Sequence, residues 1–402
     1  MWLEIRKSNP ILFFDATGNV IVDVPNQSKP LLYSLVARDI KYKSIIPIGE
    51  FVTTSHSSNS ISNKLSIIRD TLVDNYPTRN EKSYPDIVVV DFSWASIHAI
   101  NKTFNYNCSI LSYLEWTHEI LVLNKPNHLL KIMNNTIIYL CSVHILKNII
   151  KKAKSINVEE KVRKAFVFCF ALLQNSINIE NFDFILFHVF KLFNIENMNS
   201  LFFDSFNKLK IEVENHNLQK TNVNNSIFDE TKELREKVNF VYPPQETVEN
   251  LKKDSPFSKY YNELLCKYAS HIKTTHVCST DKKNEYFSPD LFKIIKEYLH
   301  ILPLWTGCLI YRTLILYDDI KVKSRLDNNC VENNFGHIKN NLFHNNLQTP
   351  SSMSAILYDR YKLKYLLNYM KPEQEKELGN IKLLIFFYLI YSNVFNIIKK
   401  LN

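Results

Sequence analysis

Four consecutive β-branched residues, Ile87-Val88-Val89-Val90, stop abruptly at Asp91. A strand that is apolar at every position has no solvent-facing side, so both faces of its sheet must be covered. That points to an α/β architecture with helices flanking the sheet. The surrounding pattern agrees. The apolar run 11–14 ends at Asp15-Ala16-Thr17-Gly18 and Val20-Ile21-Val22 resumes, which predicts a hairpin around a Gly-containing turn. Further strands are predicted over 31–36, 45–52 and 136–140. Ser57 or Ser58 is placed to cap a helix with Ile61, Leu65, Ile68 and Leu72 at helical spacing. Another helix is expected beyond Asp91, through Ala95, Ala99 and Ile100.

After His144 the character changes. Residues 145–210 are mostly helical in pattern, 213–255 are polar and Asn-rich with Pro243-Pro244, and helical patterns return from Tyr260 to Ile320. A last motif helix starts near Cys330, with Val331, Phe335, Ile338 and Leu342 on one stripe. The expected organisation is a sheet-bearing part over 10–150, a mostly helical insertion over 151–320, a return helix within 321–347 and a helical tail over 348–402. The apolar run 383–391 is too short to span a bilayer and predicts a buried terminal helix. No membrane association is expected.

Glycine usage removes whole function classes. The chain of 402 residues holds five glycines, none closer than 29 positions to the next. Phosphate-cradling loops need several glycines within a few residues, so P-loop, dinucleotide-fold and kinase chemistry are excluded and no nucleotide cofactor is expected. The net charge of +9 suits a polyanionic partner. Seven cysteines without a CxxC pair argue for a reducing compartment rather than a disulfide scaffold. The first residues lack the apolar core of a signal peptide.

Three carboxylates stand at element ends: Asp15, Asp91 and Glu332. Each has an ordinary explanation. Asp15-Ala16-Thr17-Gly18 has type I turn composition, Asp91 is placed to cap the next helix, and Asn329 with Glu332 matches a capping box. Together they suggest a sharper alternative. Strand ends of α/β sheets collect catalytic groups. Two aspartates and a glutamate supply the oxygen ligands that a pair of hard cations such as Mg²⁺ requires for phosphodiester chemistry. The separations of 76 and 241 residues demand a whole subdomain before the glutamate.

The ordered motifs carry a family resemblance. They are Leu12-Phe13-Phe14-Asp15-Ala16-Thr17-Gly18, then Gly49-Glu50-Phe51 with Ser55-His56, then 85–93 ending Val90-Asp91-Phe92-Ser93. Cys141-Ser142-Val143-His144, Leu302-Pro303-Leu304-Trp305 and the segment 328–339 around Glu332 follow. This series resembles the catalytic domain of Mutator-like and related DDE transposases. The resemblance implies an RNase H-like mixed sheet interrupted by a large, mostly α-helical insertion. It implies a catalytic triad of Asp15, Asp91 and Glu332 that binds two Mg²⁺ or Mn²⁺ ions, DNA as substrate, a homo-oligomer on DNA and a nuclear location. Cys141 and His144 would stand beside the site as a CxxH motif. Lys339 shares a helix face with Glu332 and Gly336, Arg325 is a further candidate for the site lining, and Trp305 is better explained as core. Cys141 is equally well explained as a small buried hydrophobe. Transposases of this kind carry a DNA-binding module before the first catalytic strand. Asp15 lies fourteen residues from Met1, so autonomous transposition is not expected.

Two clusters have competing explanations. Lys147, Lys151, Lys152 and Lys154 head a basic stretch that suits phosphate contacts or a solvated helix face equally well. Cys266, His271, His276 and Cys278 are four zinc-ligand types, but C-x4-H-x4-H-x-C fits no standard zinc pattern, and a surface segment is the expectation. Two other functions compete with DDE transposition. One is a domesticated, non-catalytic DNA- or protein-binding derivative; the other is a hydrolytic RNase H-like nuclease that cuts without joining.

Overall fold

The computed structural model describes residues 2–74, 84–125, 132, 134–215, 245–274, 282–314 and 326–369. In chain order the elements begin α1 (Trp2–Ser8), β1 (Ile11–Thr17), β2 (Leu31–Asp39), β3 (Ser44–Thr53), α2 (Ser58–Asp74), β4 (Ile87–Val90) and α3 (Trp94–Phe104). They continue α4 (Ile110–Leu121), β5 (Ile137–Leu140), α5 (Ser142–Lys154), α6 (Glu160–Gln174), α7 (Ile179–Asn194) and α8 (Ser200–Asn215). Next come α9 (Gln245–Asp254), α10 (Pro256–Thr274), α11 (Pro289–Leu299), α12 (Leu302–Trp305) and α13 (Gly307–Leu314). The last are α14 (Asn329–His337), a π turn (Ile338–Leu342) and α15 (Pro350–Tyr369). The chain is α/β, with parallel and antiparallel strand pairs and helix in the majority. No described helix is long and apolar enough to cross a membrane.

The chain divides into two compact units. The first is discontinuous and comprises Met1–Asn107 with Asn328–Asn402; the second is Cys108–Asp327. The sequence reading set the helical region at 151–320, whereas this division assigns α4 and β5 to the second unit.

In the first unit β1, β2 and β3 form an antiparallel meander, and β4 pairs parallel with β1 on its other side. All four residues of β4 are buried, as the run of β-branched residues requires. Alternation then sorts the two faces. Gly49 and Phe51 of β3 look toward α2, where a Cβ on Gly49 would stand 2.5 Å from Ile68 Cδ1. A glycine there lets sheet and helix close on each other. Phe14, Tyr33 and Phe51 stack on this same face, with centroids 5.7 Å and 5.0 Å apart along the series. Ile61, Leu65 and Ile68 of α2 are buried beneath it, as their spacing predicts.

The predicted hairpin at Asp15–Gly18 is not there. β1 runs on through Asp15 and Ala16 to Thr17, whose partner is Leu32. Each of these residues finds a ladder partner on β2, so the chain stays extended rather than turning. Residues 20–22 form no strand; Ile21 makes an isolated bridge with Gln348, after Asn19 turns at φ 57°. Asp91 does not cap α3 either. Ser93 does, its hydroxyl accepting from the Ser96 amide at 3.4 Å.

The second unit is built of helices around buried aromatics. Trp305 is fully buried, stacks on Phe170 at 4.8 Å and donates its indole N–H to the Tyr298 carbonyl at 2.9 Å. It is a core residue.

Candidate functional site

Register assembles a polar row across the first unit's sheet. The β1–β4 ladder ends at the pair Phe14↔Val90, so Asp15 and Asp91 are the next residues on two neighbouring parallel strands. Asp15 pairs across β1–β2 with Ser34, and Ser34 pairs across β2–β3 with Glu50. Residues directly opposite in a ladder share a face. Asp91, Asp15, Ser34 and Glu50 therefore form one line, at about 4.8 Å per strand, on the face away from α2.

Helix α14 lies across this line, held at two points. Asn328, at its N-cap, does not cap with its side chain. Its amide instead donates to Asp91 Oδ1 at 2.8 Å and to the Phe14 carbonyl at 3.4 Å, tying the helix to the end of β4 and the middle of β1. Asn329 is thus the first helical residue, and the capping box expected of Asn329 and Glu332 is not formed. Six residues on, about 9 Å along the axis, the Asn334 amide donates to Ser34 Oγ at 3.2 Å and Glu50 Oε1 at 3.1 Å. Glu332 stands between these two attachments, one turn after Asn328, with an exposed side chain. Val331, Phe335 and Ile338 bury the apolar stripe. The π turn then inserts an extra residue, so Phe343 rather than Leu342 continues it into the core.

The carboxylates of Asp15, Asp91 and Glu332 do not all lie within 4.8 Å of one another. A single small cation needs tighter convergence than this. Two ions about 4 Å apart, each about 2.1 Å from its oxygens, tolerate a wider spread. All three donors are hard oxygens, the ligand type that Mg²⁺ or Mn²⁺ takes.

The electrostatics are uneven along the row. Glu50 is 4% exposed, and burial pushes its carboxyl above the usual range. Opposing that, it accepts from Tyr361 Oη, from Ser34 Oγ at 2.8 Å and from Asn334, with Arg360 nearby. On the other face, burial and the charge of Asp15 push the Tyr33 hydroxyl upward. Tyr33 Oη lies 3.2 Å from His56 Nδ1, and His56 Nε2 lies 3.0 Å from the Lys29 carbonyl. Because a carbonyl only accepts, Nε2 carries the proton in the neutral ring and Tyr33 donates to Nδ1.

The remaining predicted residues are placed as follows, or lie outside the described residues. Cys141, 1% exposed, occupies the N-cap position of α5 in the second unit, and His144 sits half-buried in that helix's first turn. Lys147, Lys151 and Lys154 follow His144 as one stripe along α5, spaced four and three residues apart. Lys152 points off this stripe, pairs with Glu297 and covers the Tyr298 ring at 4.9 Å. Lys161 and Lys164 likewise pair with Glu285 and Glu160, at 2.9 Å and 2.7 Å. Lys339 lies in the π turn, half-buried. Arg325 lies outside the described residues, as do His276 and Cys278. Cys266 and His271 are both exposed on α10, and His271 packs edge-on against Phe187 at 5.5 Å.

Sequence reasoning gave no role to Glu50, Ser34, Asn328 or Asn334. The available signal was an acidic residue inside an otherwise apolar strand, which has to find donors if it is buried. No family model matches the chain, and no curated protein matches it.

Proposed function

We propose that the chain is the catalytic core of a DDE-type transposase, cleaving and joining DNA strands with two divalent cations. One observation carries this reading. Asp15 and Asp91 follow the last β1–β4 ladder pair on neighbouring parallel strands, and α14, from far along the chain, is tied to Asp91 at Asn328 with Glu332 one turn further on. An antiparallel meander with a parallel strand added beside its first member agrees with an RNase H-like sheet. The discontinuous first unit agrees with an insertion placed before the glutamate.

Asp15, Asp91 and Glu332 would hold the ions. When bound, such ions activate a water or a 3′-hydroxyl and stabilise the leaving oxygen of the phosphodiester. The protein's own groups set the stage. Asn328 holds the Asp91 carboxylate through a 2.8 Å hydrogen bond to Oδ1. The α5 stripe of Lys147, Lys151 and Lys154 would supply salt-sensitive phosphate contacts.

The test is nicking of supercoiled DNA and strand transfer from a duplex with a free 3′-hydroxyl, in Mg²⁺ or Mn²⁺. Asp15→Asn, Asp91→Asn and Glu332→Gln should each lower both activities by about 10²–10³-fold while the protein stays folded. Activity equal to wild type in any of the three rejects its assigned role. Cleavage without joining would favour the hydrolytic nuclease.

A further inference from the structure

The row across the sheet holds one more acid than the proposed chemistry uses. Glu50 sits two strands from Asp15, at about 10 Å, and is too enclosed to receive an exchanging ligand. Its surroundings are specific. Ser34 from β2, Asn334 from α14 and Tyr361 from α15 all donate to its two oxygens. Arg360 Nη2 donates in turn to Asn334 Oδ1 at 3.2 Å, which fixes which way the Asn334 amide faces. Three side-chain donors, Ser34, Asn334 and Tyr361, thus converge on one carboxyl at the centre of the cluster.

Such a cluster is a poor device for stability alone. Desolvating a carboxylate is costly, and Arg360 Nη1 is buried with no hydrogen-bond partner among the described residues. An apolar contact of the same volume would hold α14 to the sheet as firmly, but without fixing its direction. What the polar cluster adds is orientation. Asn328 holds one end of α14 and Asn334 the other, with Glu332 between them. Releasing the Asn334 end leaves the helix free to pivot about Asn328, and Glu332 moves with it.

We infer that Glu50 is a positioning residue, whose buried carboxylate sets the line along which α14 crosses the sheet and hence where Glu332 stands beside Asp15 and Asp91. The orientation of the helix rests on the hydrogen bonds alone; its consequence for metal binding rests on the function proposed above.

Two measurements on the full chain separate these parts. Hydrogen exchange of the amides in 329–337 should accelerate in Glu50→Gln and in Tyr361→Phe, while α2 and α3 keep their wild-type protection. Tyr361→Phe removes one donor without touching the acid, so it guards against a variant that simply misfolds. Mn²⁺ titration followed by electron paramagnetic resonance should show wild type taking two ions. In Glu50→Gln the second ion should bind about tenfold or more weakly, as when groups behind metal ligands are removed. Unchanged exchange of 329–337 in both folded variants overturns the positioning role, whatever the metal result. Accelerated exchange with second-ion affinity equal to wild type overturns the link from Glu50 to Glu332. If wild type binds no Mn²⁺ while 329–337 respond as expected, the proposed function fails and the helix positioning stands.

Discussion

The two units put their buried polar groups to different uses. In the first, Glu50, Ser34 and Asn334 meet across up to 300 positions of sequence, and their hydrogen bonds dictate where one helix lies. In the second, the buried interior is largely aromatic, and buried donors answer backbone carbonyls: Trp305 donates to Tyr298 at 2.9 Å, and Asn284 to Leu192 and Ile195 at 2.8 Å and 2.7 Å. Polar contacts cost desolvation and return direction; apolar area supplies cohesion. The first unit should therefore lose function before stability when disturbed, and the second stability before function.

The largest expected effect breaks the comparison if it goes the wrong way. Trp305→Ala removes a fully buried indole stacked on Phe170 and should cost about 3–5 kcal/mol of unfolding free energy. Urea denaturation measures it. Mn²⁺ binding by the fraction still folded should match wild type. A matching loss of metal affinity would show that the second unit's core also sets the acid row.

A smaller effect sharpens the contrast through pH. Asp183 on α7 accepts from Tyr261 Oη at 3.0 Å and from Tyr260 Oη, yet burial outweighs these donors and raises its carboxyl to about 6. A carboxyl with a raised folded value keeps its proton in the native state after the unfolded chain has lost it. Its contribution to stability is complete below about 4 and declines as pH rises to about 6, by roughly 1.4 kcal/mol per pH unit. Asp183→Asn should abolish that decline. The unfolding free energy of the variant relative to wild type should rise between about pH 4 and pH 6 and then level off. Parallel curves for the two proteins would show that the tyrosine hydroxyls hold Asp183 ionised throughout.

How much of this was legible in the sequence depends on the range of the cause. β4, α2 and α3 follow from local pattern: an unbroken β-branched run, a seryl cap and apolar residues at helical spacing. The turn at Asp15 failed because turn composition is a weak local preference, and six consecutive ladder pairs with β2 outweigh it. The acids at 91 and 332 stood out because strand ends and helix starts are visible locally, and Asp15 through a turn composition that the fold does not use. Glu50 did not, because its meaning comes from strand register and from Asn334, 284 positions away. Asn328 was hidden differently. The sequence reading gave the capping role to its neighbour Asn329, and only the fold shows Asn328 at the N-cap with its side chain turned to Asp91.

The smallest effects compare two glycines on opposite sides of the same sheet. Gly49 faces Ile68, and an added Cβ would meet three atoms of that stiff, buried side chain at 2.5–3.0 Å. Gly49→Ala should therefore destabilise by about 1–3 kcal/mol through overpacking. Among the described residues, Gly336, on α14, has nothing within 4 Å of the position its Cβ would take. Tight packing among those residues does not account for it, although glycine inside a helix costs about 1 kcal/mol relative to alanine. Gly336→Ala should raise stability by about that amount in thermal unfolding. The same position lies one turn after Glu332 and three residues before Lys339, on the helix face where substrate DNA would approach in the proposed function. If a sugar-phosphate backbone passes close over it there, the more stable alanine variant will bind and cleave DNA less well. Higher stability with undiminished DNA cleavage would remove Gly336 from the substrate path and move the contact surface to another side of α14.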